Sequence, residues 1–438
     1  MEQVSAAEQR ARPEAVVVHE VLEQPVSLRK RVVTGALLVL VGAVTVVGWG
    51  LGAGAGDATF AFGGGTAVRL PDLTLPATAT AVLLGAVVVV LGLFQLVRGF
   101  RARRGPLLVG AAVAAFMVSF LCWAMSGGEA SSIDVVQLLR QTLFLATPLI
   151  LGALAGVLGE RSGVVNVAIE GQLLTGAFTA ALVGTLAGSL GAGVVGGVLS
   201  GALVGWLLAV FAIRYRVNQV ILGVVLNAAA LGFTGWAYKA LMQSDTERFN
   251  APGQLQTLPI PVLSDIPVLG PLLFEANVVV YVMYALVVAL QVVLFRTRWG
   301  LRTRAVGEHP KAAATLGVPV LRIRYVNVVV AGGIAGLGGA FLSVGTIGPF
   351  TENMSAGKGF IALAAVIFGR WTPKGAVAAS LLFGFFAALQ TLVGVLPYGS
   401  SVPSSFLSAL PYLATLFAVA GFVGRVRPPA ASGEPYPA

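Results

Sequence analysis

The most polar stretch in the middle of this chain is GERSGVVNVAIEGQLLT, residues 159–175, which interrupts long apolar sequence. Asn166 and Glu170 are four positions apart, so on a helix they would share one face. An ionisable side chain within an apolar helix is costly to bury, and by default it indicates a binding or transport pathway. Glu170 could instead hydrogen-bond to a neighbouring helix and fix the packing. The sequence leaves both interpretations open, and in the first one Asn166 and Glu170 are substrate-binding residues.

Three further residues complete the candidate binding set. Asn227 lies inside the apolar run VILGVVLNAAALG, and Gln219 lies just before it. Amides offer a donor and an acceptor without a charge, which suits a neutral solute such as a sugar or a nucleoside, although they also commonly link helices. Phe360 begins the short apolar run FIALAAVIFG, which follows Lys358 and Gly359. A half-helix here would direct its first backbone N–H groups toward the middle of a membrane, as in many transport sites.

The sequence lacks motifs for ATP hydrolysis, for a metal site and for hydrolase activity. No GxxxxGK[ST] phosphate-binding loop occurs, since Lys358 sits in AGKGF without the required spacing. The only histidines, His19 and His309, lie outside the apolar runs, which argues against a histidine metal site inside a membrane. GxSxG and HExxH motifs do not occur either. We therefore expect no enzymatic activity, no cofactor and no metal ion in this chain.

A basic segment, residues 296–324, lies between two long apolar runs and holds seven Lys or Arg residues against one acid, Glu308. It contains a short predicted helix, because Pro310 has the φ angle favoured at a first helical position and Gly317 with the following proline would end it. A helix of two turns is unstable alone in water. The predicted helix therefore requires a surface to pack against.

The elements that would position these residues follow from composition. The 438-residue chain is 57% hydrophobic and 11% charged, a profile typical of a polytopic membrane protein. Its apolar runs of about 20 residues match a helix that crosses about 30 Å of hydrocarbon, and they lack the alternation of barrel strands. Small residues are dense in 186–205 and 330–348, which predicts the closest helix contacts there. The sequence thus predicts an all-α membrane helix bundle with a possible half-helix near 359–370.

We expect roughly twelve spans in two groups. Three belong to an N-terminal extension, residues 29–130, and about nine to a transmembrane domain, residues 131–424. A disordered cytoplasmic tail at 1–28 and a cytoplasmic tail at 425–438 flank them. The predicted spans are 32–51, 77–97, 106–125, 135–158, 164–186, 193–212, 220–241, 277–295, 325–346, 359–370, 376–396 and 405–424.

The net charge of +10 does not indicate a nucleic-acid partner. Most Lys and Arg residues fall in short loops on alternate sides of successive apolar runs, which is the positive-inside pattern of a protein in a lipid bilayer. This pattern predicts that both termini and the basic segment are cytoplasmic. The long loop 242–276, which carries five prolines, would then face outward as a cap, a docking surface or a plain connector.

Four blocks occur in order along the chain: GERSGVVNVAIEGQLLTGAF (159–178), RAVGEHPKAAATLGV (304–318), AGGIAGLGGAF (331–341) and GKGFIALAAVIFGRWTPKGA (357–376). Together they resemble the permease subunits of bacterial ABC importers, in the branch that handles branched-chain amino acids, simple sugars and nucleosides. Glu-Arg-Ser-Gly followed by Asn and Glu-Gly looks most like the nucleoside permeases. The resemblance covers about residues 135–424 and implies a multi-pass protein of the bacterial plasma membrane that moves nucleosides by alternating access.

The resemblance also implies a role for the basic segment and a set of partners. In that family the corresponding loop docks into a cleft on a cytoplasmic ATPase subunit; the family usually has Asn where this chain has His309. The expected partners are ABC ATPase subunits, a second permease subunit in a homodimer or heterodimer, an extracytoplasmic solute-binding lipoprotein and a small polar solute. The residues implied in coupling to the ATPase are Gly307, Glu308, His309, Pro310, Ala312, Ala313 and Gly317.

Two alternatives remain at this stage. The solute could be a simple sugar or another small polar molecule, carried by the same class of importer. An ion-coupled secondary transporter would also explain polar residues inside the spans, but it would not explain the short helix between Pro310 and Gly317.

Overall fold

The structure, a computed structural model, describes residues 28–52, 56–63, 70–100, 105–126, 132–396, 405, 409 and 427–437. The predicted tail at 1–28 lies outside these residues except for Leu28. The predicted span at 405–424 lies outside them except at two isolated positions.

Helices make up most of the described chain, and the strands are short. The elements in chain order are α1 (Leu28–Val44), β1 (Asp57–Ala61), β2 (Leu73–Pro76), α2 (Ala77–Val97), α3 (Gly105–Met125), β3 (Ser132–Asp134), α4 (Val135–Arg161), α5 (Ile169–Leu186), α6 (Leu190–Ala209), α7 (Gln219–Ala237), α8 (Thr246–Phe249), β4 (Leu258–Pro259), β5 (Glu275–Ala276), α9 (Val278–Arg296), α10 (Arg298–Glu308), α11 (Pro310–Thr315), α12 (Val320–Leu342), α13 (Lys358–Phe368) and α14 (Pro373–Val393).

Ten helices in the described part of the chain are long and apolar enough to cross a membrane, so the chain is a multi-pass membrane protein, as predicted. The helix bounds agree with the predicted spans to within a few residues, with three exceptions. Two helices begin elsewhere, α5 at Ile169 rather than near 164 and α12 at Val320 rather than near 325, and α1 ends at Val44 rather than near 51, because a π-helical stretch, Thr45–Gly50, follows it. With 11 residues, α13 is the short helix predicted near 359–370. The strands were not predicted: β1 pairs antiparallel with β2 and parallel with β3.

The described residues of 1–53 and 78–120 form one compact unit. Glycines bring α1 and α2 close together within it. A Cβ atom added at Gly42 would lie 2.7 Å from the backbone nitrogen of Val89 on the other helix. Close backbone approach of this kind replaces the hydrophobic drive that is missing between helices in lipid.

The described residues of 54–77 and 121–438 form the second compact unit, with α4 and α12 at its centre. Most of the membrane-crossing window is buried in both helices, 83% in α4 and 89% in α12, against 33% in α6 and in α7. Because α4 and α12 are surrounded by other helices of this unit, a displacement at the end of either helix would be passed to its neighbours.

The contact between α6 and α12 is made through glycines. A Cβ atom at Gly201 would lie 2.4 Å from the carbonyl oxygen of Gly332, and one at Gly336 would lie 2.3 Å from the carbonyl oxygen of Gly197. Positions four apart share one helix face, so these glycines form two facing rows. We call them the glycine interface. It confirms that the small-residue segments 186–205 and 330–348 pack closely.

Candidate functional site

Asn166 lies in a non-helical turn, residues 162–168, that joins α4 to α5. The predicted helix face shared by Asn166 and Glu170 is wrong, because α5 begins only at Ile169. Asn166 is fully buried, and its Nδ2 donates to Oε1 of Gln172 at 2.9 Å. Asn166 Oδ1 and Gln172 Nε2 have no hydrogen-bond partner among the described residues. This buried pair therefore keeps one acceptor and one donor unused.

Two other predicted binding residues, Gln219 and Asn227, both lie on α7 and hold the 162–168 turn. Gln219 Oε1 accepts a hydrogen bond from the backbone N–H of Val165 at 2.7 Å. Asn227 uses both ends of its amide: Nδ2 donates to the carbonyl of Val167 at 2.9 Å, and Oδ1 accepts from the N–H of Gly171 at 2.8 Å. Gly171 lies in the first turn of α5, where backbone N–H groups have no partner within the helix. Asn227 therefore supplies an acceptor that the start of α5 requires.

Glu170 joins the start of α5 to the start of α13, far apart in the sequence. Its Oε1 accepts from the hydroxyl of Ser355 at 2.6 Å and from the backbone N–H of Gly357 at 2.7 Å, and its Oε2 accepts from the N–H of Gly359 at 2.6 Å. The side chain is only 8% exposed. A carboxylate is favourable there because a helix N-terminus has unpaired N–H groups and a positive dipole end. We call these four residues the Glu170 clasp.

The geometry of the Glu170 clasp requires its two glycines. A Cβ atom at Gly359 would lie 2.4 Å from the backbone nitrogen of Glu170, so a larger residue would separate α13 from α5. Gly357 has a φ of +83°, which side chains disfavour. The predicted half-helix is present, and the N–H groups at its start bind a side chain of the protein itself.

Phe360 differs from the other four predicted binding residues, because its side chain is 50% exposed. It follows Gly359 directly, yet the structure does not bury its ring in the polar cluster around the start of α5. On α7, Val224 and Phe233 are also more than half exposed. The structure thus brings Asn166, Glu170, Gln219 and Asn227 together and leaves Phe360 on the accessible surface of the chain.

The basic segment contains two helices, of which only the second was predicted. The first, α10, spans Arg298–Glu308. Thr297 caps its N-terminus, since the Thr297 hydroxyl accepts a hydrogen bond from the N–H of Gly300 at 3.2 Å. The second, α11, begins at Pro310 as predicted and ends at Thr315. Gly317 follows with a φ of +77°, so the predicted helix stop is also present.

The seven residues predicted to couple to an ATPase have two different environments. Gly307 is buried, and Ala313 is 4% exposed and packs with Val306, Val320 and Ile323. Pro310 is partly exposed, and the other four, Glu308, His309, Ala312 and Gly317, are exposed. The short helix α11 therefore packs with Ala313 against its own chain, while the side that carries Ala312 is exposed.

The basic segment also packs on the end of α4. A Cβ atom at Gly307 would lie 2.3 Å from the carbonyl oxygen of Arg161, so only glycine permits this approach. Arg161 donates from Nε to the carbonyl of Trp371 at 2.8 Å, and Glu160 Oε2 accepts from Trp371 Nε1 at 2.5 Å. These contacts join three elements: the basic segment, the end of α4 and the turn between α13 and α14.

A cavity of about 220 Å³ lies at the opposite end of α4. Gln137, Arg140 and Gln141 line it from the first turns of α4, and Arg140 lies 3.8 Å from Glu275. Amides and a charge pair suit a polar ligand. Arg140 in the cavity wall and Arg161, which the basic segment contacts, are 21 positions apart on α4, so the cavity and the basic segment are about 30 Å apart along it.

Several residues of the site were not predicted. Ser355, Gln172 and Trp371 each supply a hydrogen bond described above, and the 427–437 segment contacts the basic segment. A local signal existed for Ser355, since Ser-Ala-Gly-Lys-Gly places a hydroxyl and two glycines just before an apolar helix, as at many anion-binding helix starts. No group of three His, Cys, Asp or Glu side chains that could hold a metal ion occurs among the described residues.

Comparison with characterised proteins gives one family and several relatives. The family model described as "branched-chain amino acid transport system / permease component" matches residues 138–420. The guanosine ABC transporter permease protein NupQ of Bacillus subtilis is 41% identical over 69% of this chain and 98% of its own length. The nucleoside ABC transporter permease protein NupC of Lactococcus lactis is 37% identical over 67% of this chain and 94% of its own. The glucose ABC transporter permease protein TsgB13 of Haloferax volcanii is 28% identical over 64% and 76%. No solved structure matches the chain.

Proposed function

This chain belongs to the family of branched-chain amino acid transport system permease components, and from that premise we propose that it is the membrane-spanning subunit of an ABC importer for nucleosides. The similarity to a guanosine permease along nearly the whole of that protein carries the proposal. The polar cluster at the start of α5 supports it, because a membrane protein keeps buried polar groups where they serve a pathway or its walls.

The proposed mechanism is alternating access driven by a partner. In this mechanism ATP binds and is hydrolysed on ABC ATPase subunits, and the exposed side of the basic segment docks on them. Gly307 and Ala313 would not contact the ATPase subunits directly. Gly307 would hold the basic segment against α4, and Ala313 would hold it against α12. The contact of Gly307 with Arg161 then offers a direct route for motion into α4.

The proposed orientation places the basic segment and both chain termini in the cytoplasm of a bacterium. The cavity at the other end of α4 would then face outward, where an extracytoplasmic solute-binding lipoprotein delivers the solute. A second permease subunit, identical or different, would complete the solute path. The excess of Lys and Arg in the basic segment supports this orientation.

For the solute itself, we propose different roles within the predicted binding set. Phe360 is the residue whose ring remains accessible for stacking on a nucleobase. The side chains of Glu170, Gln219 and Asn227 form hydrogen bonds with other parts of the protein. They would therefore shape the wall of the solute path beside Phe360 and would not bind the solute themselves. The Oδ1 of Asn166 accepts no hydrogen bond from the residues that the structure describes, but the side chain is fully buried.

Uptake into proteoliposomes tests the proposal. The chain is reconstituted with its ATPase subunits, second permease and solute-binding protein, and uptake of labelled guanosine is followed. We expect uptake to require ATP inside the compartment that the ATPase subunits face, and to be unaffected when ion gradients are collapsed. Uptake that follows an ion gradient and ignores the ATPase subunits would contradict the proposal and favour a secondary transporter.

A second candidate solute is a simple sugar, which the relative named for glucose favours. Competition distinguishes the two candidates. Excess unlabelled guanosine should abolish uptake of labelled guanosine, and excess glucose should not. Uptake of labelled glucose that guanosine fails to inhibit would support the sugar instead.

A further inference from the structure

The 427–437 segment packs against the basic segment although more than a hundred residues separate them. The backbone N–H of Ala431 donates to the carbonyl of Gly307 at 2.8 Å, and the N–H of Ala430 donates to Oε2 of Glu308 at 3.2 Å. Ala431 is only 3% exposed. The segment thus binds the last turn of α10, directly before α11.

The same segment reaches two other elements. The N–H of Gly433 donates to the carbonyl of Gly163 in the 162–168 turn at 3.3 Å, and Arg324 Nη1 on α12 donates to the carbonyl of Glu434 at 3.0 Å. Tyr436 packs against the apolar cluster of Val306, Ala313, Val320 and Ile323. One short segment therefore contacts α10, the turn before α5, and α12.

The backbone at Gly163 makes this arrangement possible. Gly163 has a φ of +88°, and a Cβ atom there would lie 2.7 Å from Nη2 of Arg324 and 3.1 Å from the carbonyl oxygen of Ala431. Any other residue would push the guanidinium and the 427–437 segment away. Gly433 also has a positive φ, +83°, so both partners of this hydrogen bond have backbones that favour glycine.

Arg324 shows what the segment contributes to the interior. Its side chain is 2% exposed, and its Nε and Nη2 have no hydrogen-bond partner within the described part of the chain. The carbonyl of Glu434 is therefore the one acceptor for this guanidinium among the described residues. A buried cation is strongly unfavourable without acceptors, so removal of the segment should disturb the start of α12 as well as α10.

We infer that the 427–437 segment is a positioning element for the basic segment, on which the ATPase subunits are proposed to dock. It ties the basic segment to the turn that leads into α5 and to α12, so that displacement of α10 and α11 moves these spans together. Without it, Gly307 would still touch Arg161, but the segment's links from α10 to the 162–168 turn and to α12 would be lost. This inference rests on the proposed function only for its consequence in transport; the contact itself can be tested on the permease alone.

Cross-linking tests the contact. The only cysteine, Cys122, is replaced by alanine, and the pair Glu308→Cys and Ala430→Cys is introduced. The Glu308 side chain reaches the Ala430 backbone, so a short bis-maleimide should link the pair in membranes. The control pair is Ala430→Cys with Glu352→Cys, since Glu352 contacts Lys239 at the other end of α7 from the 162–168 turn. A link in the control pair only, or in neither pair, would overturn the inference.

Truncation tests the consequence. The chain ending at residue 426 is expected to insert in the membrane, to keep the ATPase subunits bound and to lose about tenfold of its ATP-driven guanosine uptake, a typical loss when two sites are uncoupled. Uptake within about a factor of two of the full chain, well below the fivefold lower end of typical coupling effects, would show that the segment does not position the basic segment.

Point variants keep the test decisive if the truncated chain fails to insert. Tyr436→Ala removes the side chain that packs on the apolar cluster, and Pro435→Ala changes an exposed neighbour. We expect reduced uptake with Tyr436→Ala and unchanged uptake with Pro435→Ala, with equal membrane levels of both. Equal uptake of the two variants would overturn the positioning role. Failure of the full chain to import guanosine, together with a positive cross-link, would instead count against the proposed function.

Discussion

The glycine interface and the Glu170 clasp hold neighbouring helices together by opposite means. In the glycine interface, backbone meets backbone, with Gly201 and Gly332 each so close to the other's carbonyl that no Cβ atom fits. In the Glu170 clasp, one carboxylate accepts three hydrogen bonds from the loop and helix start at 355–359. The first contact excludes side chains, and the second depends on a single side chain.

The difference reflects two separate demands of a membrane. Helices in lipid gain little from the hydrophobic effect, so close packing of small residues must supply attraction between α6 and α12. The start of a helix inside a membrane has unpaired N–H groups and no water to bind them, so α13 requires an acceptor from the protein. We therefore expect the glycine interface to be sensitive to volume and the Glu170 clasp to be sensitive to hydrogen-bonding capacity.

The largest effect is expected from Gly336→Ala, which tests whether volume governs the glycine interface. The new Cβ atom would lie 2.3 Å from the carbonyl of Gly197, and because backbone cannot move aside as a side chain can, we expect a loss of about 3 kcal/mol or failure to assemble. Thermal unfolding in detergent measures it. Gly232→Ala is the control, since nothing lies within 4 Å of a Cβ atom there. Similar stability of the two variants would show that side-chain volume does not limit the glycine interface, and its contrast with the Glu170 clasp would be lost.

The next effect is expected from Glu170→Ala, which removes the acceptor of the clasp. Hydrogen bonds to a charged group are lost, and the backbone N–H groups of buried Gly359 and half-buried Gly357 lose their acceptor, so the free energy of unfolding should fall by about 2–3 kcal/mol. Amide hydrogen exchange at Gly357 and Gly359 should become faster than in the unmodified chain. Uptake of guanosine is expected to fall with it.

Glu352→Ala is the matched control for that variant. Glu352 lies 3.1 Å from Lys239 in an ion pair whose side chains are 45% and 62% exposed, and such exposed pairs contribute about 0–1 kcal/mol. If loss of Glu352 proves as harmful as loss of Glu170, charge alone rather than the clasp geometry would be responsible.

A smaller effect is expected from Asn227→Leu, which keeps the side-chain volume of α7 and removes its two hydrogen bonds to the turn and to α5. The N–H of Gly171 and the carbonyl of Val167 would lose their partner, at about 1–3 kcal/mol. Unfolding in detergent measures the change. A result indistinguishable from the unmodified chain would show that the hydrogen bonds of Asn227 do not stabilise the start of α5, in contrast to those of the Glu170 clasp.

The smallest effect on stability is expected from Phe360→Ala. Its side chain is 50% exposed, so the free energy of unfolding should change by about 0.5 kcal/mol or less. Guanosine uptake should nevertheless fall if the ring contacts the solute. Ile367→Ala, on the same short helix and 45% exposed, is the control and should leave uptake unchanged. Equal uptake by both variants would exclude Phe360 from the solute path.

Much of this architecture was predictable, because the signals are local. Apolar run length predicted the spans, and Pro310 with Gly317 predicted the bounds of α11. The helix α10 was missed, since Arg298–Glu308 is polar and lies in a segment interpreted as a loop. The position of Asn166 was also missed, because four-residue spacing predicts a shared face only where the backbone is already helical.

The sequence by itself determined which stretches are long and apolar enough to cross a membrane, where α11 begins and ends, and which polar residues are costly enough to need a partner. Only the tertiary structure decided those partners. Ser355 lies 185 positions from Glu170, and Ala430 lies 122 positions from Glu308. Hydropathy and helix signals act over a few residues along the chain, whereas a hydrogen bond between distant segments depends on how the helices pack. That packing assigns Glu170 to α13 and the 427–437 segment to the basic segment.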